Sequence, residues 1–204
     1  MKIVGILGSP RKKGNTEILL DVAMEEALKN GVQFSKIPLR GKVIGHCNGC
    51  QKCLKTGKCV IKDDMQEIYQ EMLDADGILW ATPVYCWSMT SLAKTVMDRT
   101  YALTVPTVQL KNKIGGLIVV AARRGCLTTA QLFQMYFNYN HMFFSEYAWG
   151  HALDKGEIRK DPLAVNMVTE MVRQMISLIQ ANLKFPEEFD RPLHRFVINK
   201  YPIS

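Results

Sequence analysis

The feature that most constrains the fold is a short, nearly continuous apolar run at the start of the chain, Lys2-Ile3-Val4-Gly5-Ile6-Leu7-Gly8, ended by Gly8-Ser9-Pro10. A strand that is apolar at every position, rather than at every second one, is buried on both faces, and that implies a parallel sheet covered by helices. The same signal returns at Asp76 to Thr82 and at Lys113 to Ala121, with further strands at Val32 to Leu39 and Phe143 to Gly150. Between them lie 3.6-residue stripes. Thr16 to Asn30 carries Ile18, Leu19, Val22, Ala23, Ala27 and Leu28 on one side, with Asn15 as the expected N-cap and Gly31 after its end. Met65 to Leu73, Ser91 to Ala102, Thr128 to Asn140 and Pro162 to Lys184 are the other expected helices.

Strands alternating with helices predict an α/β doubly wound sheet with right-handed crossovers, and five strands favour the flavodoxin-like order 2-1-3-4-5. At 204 residues the chain has room for one domain, expected over 1–184. Two segments fall outside the minimal unit: a loop over 45–64, and a tail over 185–204 whose Pro186, Pro192 and Pro202 forbid a single helix. That tail is a candidate oligomerisation arm. No apolar run approaches the ~20 residues of a membrane span, and the N-terminus reads as a strand, so a cytoplasmic protein with no membrane partner is expected.

The net charge of +7 is unevenly placed. Residues 1–62 hold twelve Lys/Arg against four Asp/Glu, whereas 63–204 hold fourteen against fifteen. A local positive field suits phosphate-bearing ligands or an acidic partner; without a basic stripe interleaved with aromatics, nucleic acid is not expected.

Between the first strand and first helix lies Gly8-Ser9-Pro10-Arg11-Lys12-Lys13-Gly14-Asn15-Thr16. Ligands of open α/β sheets bind beyond the carboxyl ends of the strands, and a helix N-terminus there favours phosphate. Ser9, Asn15 and Thr16 supply donors, Arg11 a charge-assisted bond, and Gly14 close backbone approach. No Gly-Lys-Ser/Thr ends the loop and no Gly-x-Gly-x-x-Gly is present, which disfavours ATPases, kinases and dinucleotide folds. A second block follows strand three: Ala75-Asp76, then Thr82-Pro83-Val84-Tyr85, Trp87-Ser88-Met89, Leu92-Ala93-Lys94 and Asp98-Arg99.

Together these blocks resemble the flavodoxin-like NAD(P)H-dependent FMN reductase superfamily. The resemblance implies that FMN phosphate sits on the first loop, that Thr82, Pro83, Val84, Tyr85 and Trp87 reach the flavin rim, and that Ala122-Arg123-Arg124-Gly125 forms a third flavin loop. Arg123 or Arg124 would then place positive charge beside the ring. Trp87 departs from the pattern, since many relatives carry a small residue there. The resemblance also implies an oxidoreductase using NAD(P)H and a small-molecule acceptor such as a quinone or free flavin, assembled as a homodimer or homotetramer.

The cysteines Cys47, Cys50, Cys53 and Cys59 fall within thirteen residues. In a reducing compartment such a cluster points to metal or redox chemistry rather than disulfide bridges. The Cys-x2-Cys-x2-Cys spacing lets three thiolates of one tight loop reach a cubane, with a fourth completing the set, and it resembles the superfamily's iron-sulfur flavoprotein branch. A 4Fe-4S cluster, a zinc site and free or disulfide-forming thiols all remain readings of this spacing. With a cluster, the chain would be an electron carrier between a ferredoxin-like partner and FMN, and Lys52, Lys55, Lys58 and Lys62 would attract an acidic partner.

Overall fold

In the computed structural model, which describes residues 1–192, five parallel strands form one sheet in the order β2-β1-β3-β4-β5. They are β1 (Lys2–Leu7), β2 (Gln33–Pro38), β3 (Gly77–Pro83), β4 (Ile114–Ala121) and β5 (Phe143–His151). The central strands carry the continuous apolar runs because both of their faces are covered. Every residue of β4 is buried, as are Ile3, Val4, Ile6 and Leu7 of β1.

Helices α1 (Asn15–Lys29) and α7 (Pro162–Ala181) cover one face, where Leu19, Ala23, Val168 and Met175 pack with Ile3, Leu79 and Ile118. The other face is covered by α3 (Met65–Asp74), α4 (Ser91–Arg99) and α6 (Cys126–Tyr139), around Trp80, Phe133, Phe137 and Met72. Glycine sets the spacing on that side. A β-carbon on Gly115 would lie 2.6 Å from the ring of Phe137, so α6 can lie this close only because the strand has no side chain there.

Several boundaries differ from the sequence expectation. Gly14, not Asn15, is the N-cap of α1, and Asn15 is already helical. The helix expected over Ser91 to Ala102 breaks at Thr100, giving α4 and a short α5 (Tyr101–Thr104); the Thr100 hydroxyl donates to the Met97 carbonyl at 2.6 Å. Helix α6 starts at Cys126, two residues early, after the left-handed Gly125. Helix α7 stops at Ala181 because Asn182 is left-handed. Within the 45–64 loop a single turn, α2 (Cys53–Thr56), is helical.

The first part of the tail folds back on the domain. Phe185 stacks on Phe143 with centroids 4.5 Å apart, and the Phe189 carbonyl lies 2.7 Å from Nδ1 of His141. Residues 193–204, on which most of the expected arm falls, lie outside the described residues. Among the described residues no helix is long and apolar enough to cross a membrane.

Gly115→Ala is expected to cost about 1–3 kcal/mol, because the added carbon meets a buried aromatic ring in a close-packed core. A shift of the urea midpoint at unchanged slope measures it, and an unshifted midpoint would show that α6 can move away.

Candidate functional sites

The loops after β1, β3, β4 and β5 converge on a cavity of about 200 Å³ at the carboxyl edge of the sheet. The first loop is tied to the second: the Gly8 N–H donates to the Ala81 carbonyl at 2.7 Å, and the Thr90 hydroxyl donates to the Gly8 carbonyl at 2.6 Å. Thr90 also caps α4, accepting from the Ala93 N–H at 3.2 Å. One small side chain thus fixes the distance between the two loops.

At the N-terminus of α1 no side chain caps the free N–H groups. These groups and the helix dipole form an anion site beside Ser9, Arg11 and Thr16, all of which line the cavity. Glu17 sits just inside without filling it. Burial would raise its carboxyl, but the Lys13 N–H at 2.6 Å, Arg40 at 3.1 Å and Lys36 at 3.5 Å outweigh that and hold it below the usual range. Its charge is therefore spent on shaping the loop.

Asn15 lines the cavity but is engaged within the protein. Its amide nitrogen donates to the Asp154 carbonyl at 2.8 Å, and its oxygen accepts from the Gly156 N–H at 2.8 Å. It thereby anchors the loop after β5, whose Ala152 and Leu153 wall the cavity. Glu157 braces that loop from within, accepting from the Leu153 and Asp154 N–H groups at 2.7 and 2.9 Å. Sequence reasoning missed this wall, although Asp154-Lys155-Gly156-Glu157 carries a turn signal.

Of the other expected residues, Gly14, Pro83, Val84, Tyr85 and Ala122 line the cavity. Thr82 is fully buried behind it, accepting from the Thr90 N–H at 3.2 Å. Arg123 and Arg124 are exposed beside the rim. Gly125 brings the third loop against the second, since a β-carbon there would lie 2.7 Å from Val84. Trp87 stands outside the lining, 63% exposed.

All four clustered cysteines line a second, small apolar cavity of about 50 Å³, together with Ile61, Arg99, Tyr101 and Ala102. Cys47 and Cys50 are exposed; Cys53 and Cys59 are half-buried. Burial pushes the Cys53 thiol up, and charge on Cys59, Cys47 and Cys50 adds to the effect. Among the described residues the thiols are not gathered tightly enough to chelate an ion. The donor set is nevertheless that of a four-thiolate centre, since all four cysteines line one space.

The loop's frame is an ion pair. Arg99, its side chain 1% exposed, binds both oxygens of Asp63 at 2.6 and 3.0 Å and the Gly45 carbonyl at 2.7 Å. Asp63 also accepts from the N–H groups of Gly45 at 2.8 Å and Met65 at 3.1 Å. Burial opposes its charge, but Arg99 and these N–H groups hold the carboxyl below its usual range. Lys52, Lys55, Lys58 and Lys62 are all exposed on this loop.

A phosphate-suited helix N-terminus and a ring-accommodating rim at the carboxyl edge of a 2-1-3-4-5 sheet define a flavodoxin-like flavoprotein oxidoreductase. Residues 1–153 match the family described as NADPH-dependent FMN reductase, and the chain belongs to it. Within that family it falls in the iron-sulfur flavoprotein branch. It is 40% identical over 139 residues to an iron-sulfur flavoprotein of Methanocaldococcus jannaschii, a match covering 67% of this chain and 72% of that protein. An iron-sulfur flavoprotein of Archaeoglobus fulgidus is 44% identical over 126 residues, covering 61% of this chain but only 56% of its own length. The fold is also that of RosB, solved with a bound formylriboflavin-phosphate intermediate, at a TM-score of 0.72 and 16% identity over 89% of this chain and 79% of that one. The Trp repressor binding protein from Bacillus subtilis superposes at 0.65 with 24% identity, over 83% and 99% of the two chains. FMN is therefore the ligand to test against the first cavity.

Asn15→Ala should release the loop after β5. Hydrogen exchange at Gly156 should quicken, and FMN should bind more weakly by about 1 kcal/mol, the scale of losing a hydrogen bond. Unchanged exchange at Gly156 would show that Glu157 alone holds the loop.

Asp63→Asn leaves the Arg99 guanidinium buried beside a neutral partner and should destabilise the fold by about 3 kcal/mol. The sign with pH follows from the depressed carboxyl. The pair's contribution is complete above the unfolded-state value near 4 and disappears as pH falls through the lower folded value. Urea midpoints at pH 7 and at pH 3 should therefore differ less between variant and wild type in acid; an equal difference at both would remove the ion pair from the account.

Proposed function

We propose that this chain is an FMN-dependent electron-transfer oxidoreductase that also carries a 4Fe-4S cluster on Cys47, Cys50, Cys53 and Cys59. The observation that carries the reading is that four cysteines line one cavity, on a loop whose ends are fixed by the buried Arg99–Asp63 pair. A loop held at its base while its thiols stay reachable is suited to assembling a cluster after folding. The iron-sulfur flavoprotein names of the relatives support the same assignment.

When bound, FMN supplies one- and two-electron chemistry and a 4Fe-4S cluster supplies one-electron chemistry. The residues of this chain do the rest. The helix N–H groups, Ser9, Arg11 and Thr16 bind the phosphate; Tyr85, Val84 and Ala122 limit the space for the ring; Ala152 and Leu153 narrow solvent access. The exposed lysines around the cysteines give an acidic, ferredoxin-like donor a complementary face.

A simpler reading, in which NAD(P)H reduces the flavin and a quinone, free flavin or other small acceptor takes the electrons, is favoured by the family description. The two readings separate on the donor. Protein purified without oxygen should show iron and acid-labile sulfide near four atoms each per chain, the content of one cubane. Single Ser variants of the four cysteines should lose most of both while keeping FMN, and Cys86→Ser and Cys126→Ser should lose neither. Wild-type protein holding flavin but no iron would leave the NAD(P)H reductase reading in its place.

A further inference from the structure

We propose that Arg99 is a positioning residue of the cysteine site: its one unengaged nitrogen, Nε, donates into the cysteine cavity to a sulfur on the Cys59 side, and that bond sets how readily a bound cluster is reduced. The inference rests on the reading of the four cysteines as a 4Fe-4S ligand set and adds to it the residue that tunes the cluster.

The frame described above uses only part of the guanidinium. Nη1 donates to Asp63 at 2.6 Å and to the Gly45 carbonyl at 2.7 Å. Nη2 donates to the other Asp63 oxygen at 3.0 Å and, at the limit of bonding, to the Ile61 carbonyl at 3.5 Å. Nε is buried as well and has no partner among the described residues. A donor on a charged group is costly to bury unpaired, so it calls for an acceptor that the protein by itself does not supply. Arg99 lines the same cavity as Cys47, Cys50, Cys53 and Cys59. Apolar groups such as Ile61 and Ala102 make up much of the remaining wall, so a water there would find few other polar partners. The acceptors this cavity offers Nε are sulfurs.

Cys59 is the cysteine whose charge reaches this wall. Burial raises the Tyr69 hydroxyl, and charge on Cys59 raises it further against the pull of Arg99. Burial also disfavours the Arg99 cation, but Asp63, and after it Tyr69 and Cys59, outweigh that. Tyr69 is not the donor to the sulfur, because its hydroxyl is spent on the Arg99 carbonyl at 2.8 Å. Reduction adds one electron, and so one negative charge, to a centre already held by four thiolates. A hydrogen bond to sulfur favours the more negative state, and does so more strongly away from water. The exposed lysines of the loop act through solvent, which screens them. Only a planar fork can hold Asp63 with two nitrogens and still present a third, so a lysine at this position would keep the charge and lose the donor.

The test uses whole protein purified without oxygen, titrated with dithionite, which supplies the electron, and followed by EPR. In Arg99→Lys the cluster should be about tenfold harder to reduce, a potential lower by about 59 mV for a one-electron couple. Asp63→Asn unsettles the frame but keeps Nε, and its potential should not fall. Wild-type protein carrying arginine labelled with the heavy nitrogen isotope at Nε should show a nitrogen coupling to the reduced cluster by pulsed EPR, and Arg99→Lys should lack it. An unchanged potential in Arg99→Lys would overturn the proposal. So would an equal fall in Asp63→Asn, since the shift would then come from a loosened loop. Where Arg99→Lys holds no cluster, the labelled wild type decides, and absence of the coupling overturns the proposal. Iron is measured first: wild-type protein holding none would count against the four-cysteine reading itself, whereas iron-loaded protein that fails these tests counts against Arg99 alone.

Discussion

The cysteine loop depends on a single guanidinium. From the C-terminal end of α4, Arg99 reaches both oxygens of Asp63 and the Gly45 carbonyl, so the start and finish of a long, largely irregular segment meet at one side chain. A lysine would not reproduce it, because an ammonium lacks the planar fork that here meets both carboxylate oxygens side by side. The Tyr69 hydroxyl extends the contact to α3 by donating to the Arg99 carbonyl at 2.8 Å. Burying a charge is costly, and Arg99 Nε finds no partner among the described residues. The return is placement of the loop: a segment with one turn of helix is held in register against α4 and α5 while its cysteines remain accessible.

The cavity at the carboxyl edge of the sheet is built differently. Thr90 joins Gly8 to the cap of α4, Thr82 backs it, and Asn15 holds the far wall across 139 residues of sequence. All are short polar side chains whose bonding capacity is consumed inside the protein. What they leave open are the backbone N–H groups of α1 and the side chains of Arg11 and Thr16. A polar frame that has spent its own hydrogen bonds does not compete with a phosphate for the donors that remain.

The two frames explain which parts of the structure were legible in the sequence. Strands buried on both faces betray themselves by uninterrupted apolar runs, and β1, β3 and β4 could be read almost to the residue. The cysteine spacing is equally local. What could not be read depends on partners distant in sequence. Asn15 has the composition of an N-cap, but its side chain is drawn away by the loop after β5, and Gly14 takes the cap position. The break at Thr100 leaves no mark in a stretch that is helix-compatible on both sides, and the Asp98-Arg99 motif does not disclose that its partner is Asp63.

The left-handed tip at Cys86 and Trp87 was likewise invisible, because nothing in an aromatic residue announces positive φ. Only when Gly125 and Thr128 are seen to press on the same turn does the departure at Trp87 acquire a physical meaning. A glycine would satisfy this backbone without strain, as would an asparagine at smaller cost. The sequence instead places its largest side chain type there and leaves it mostly in water, so the local rule is broken without a compensating gain in packing. Left-handed positions after α1 and before α6 are occupied by Gly31 and Gly125, whereas Lys13, Gln51, Asn112, His141 and Asn182 take positive φ without being glycine, so Trp87 differs from these as a large apolar side chain left exposed rather than in breaking the rule. The hairpin tip is therefore held by its neighbours, the Thr128 hydroxyl and the close approach that Gly125 allows, and not by any preference of the residues that occupy it.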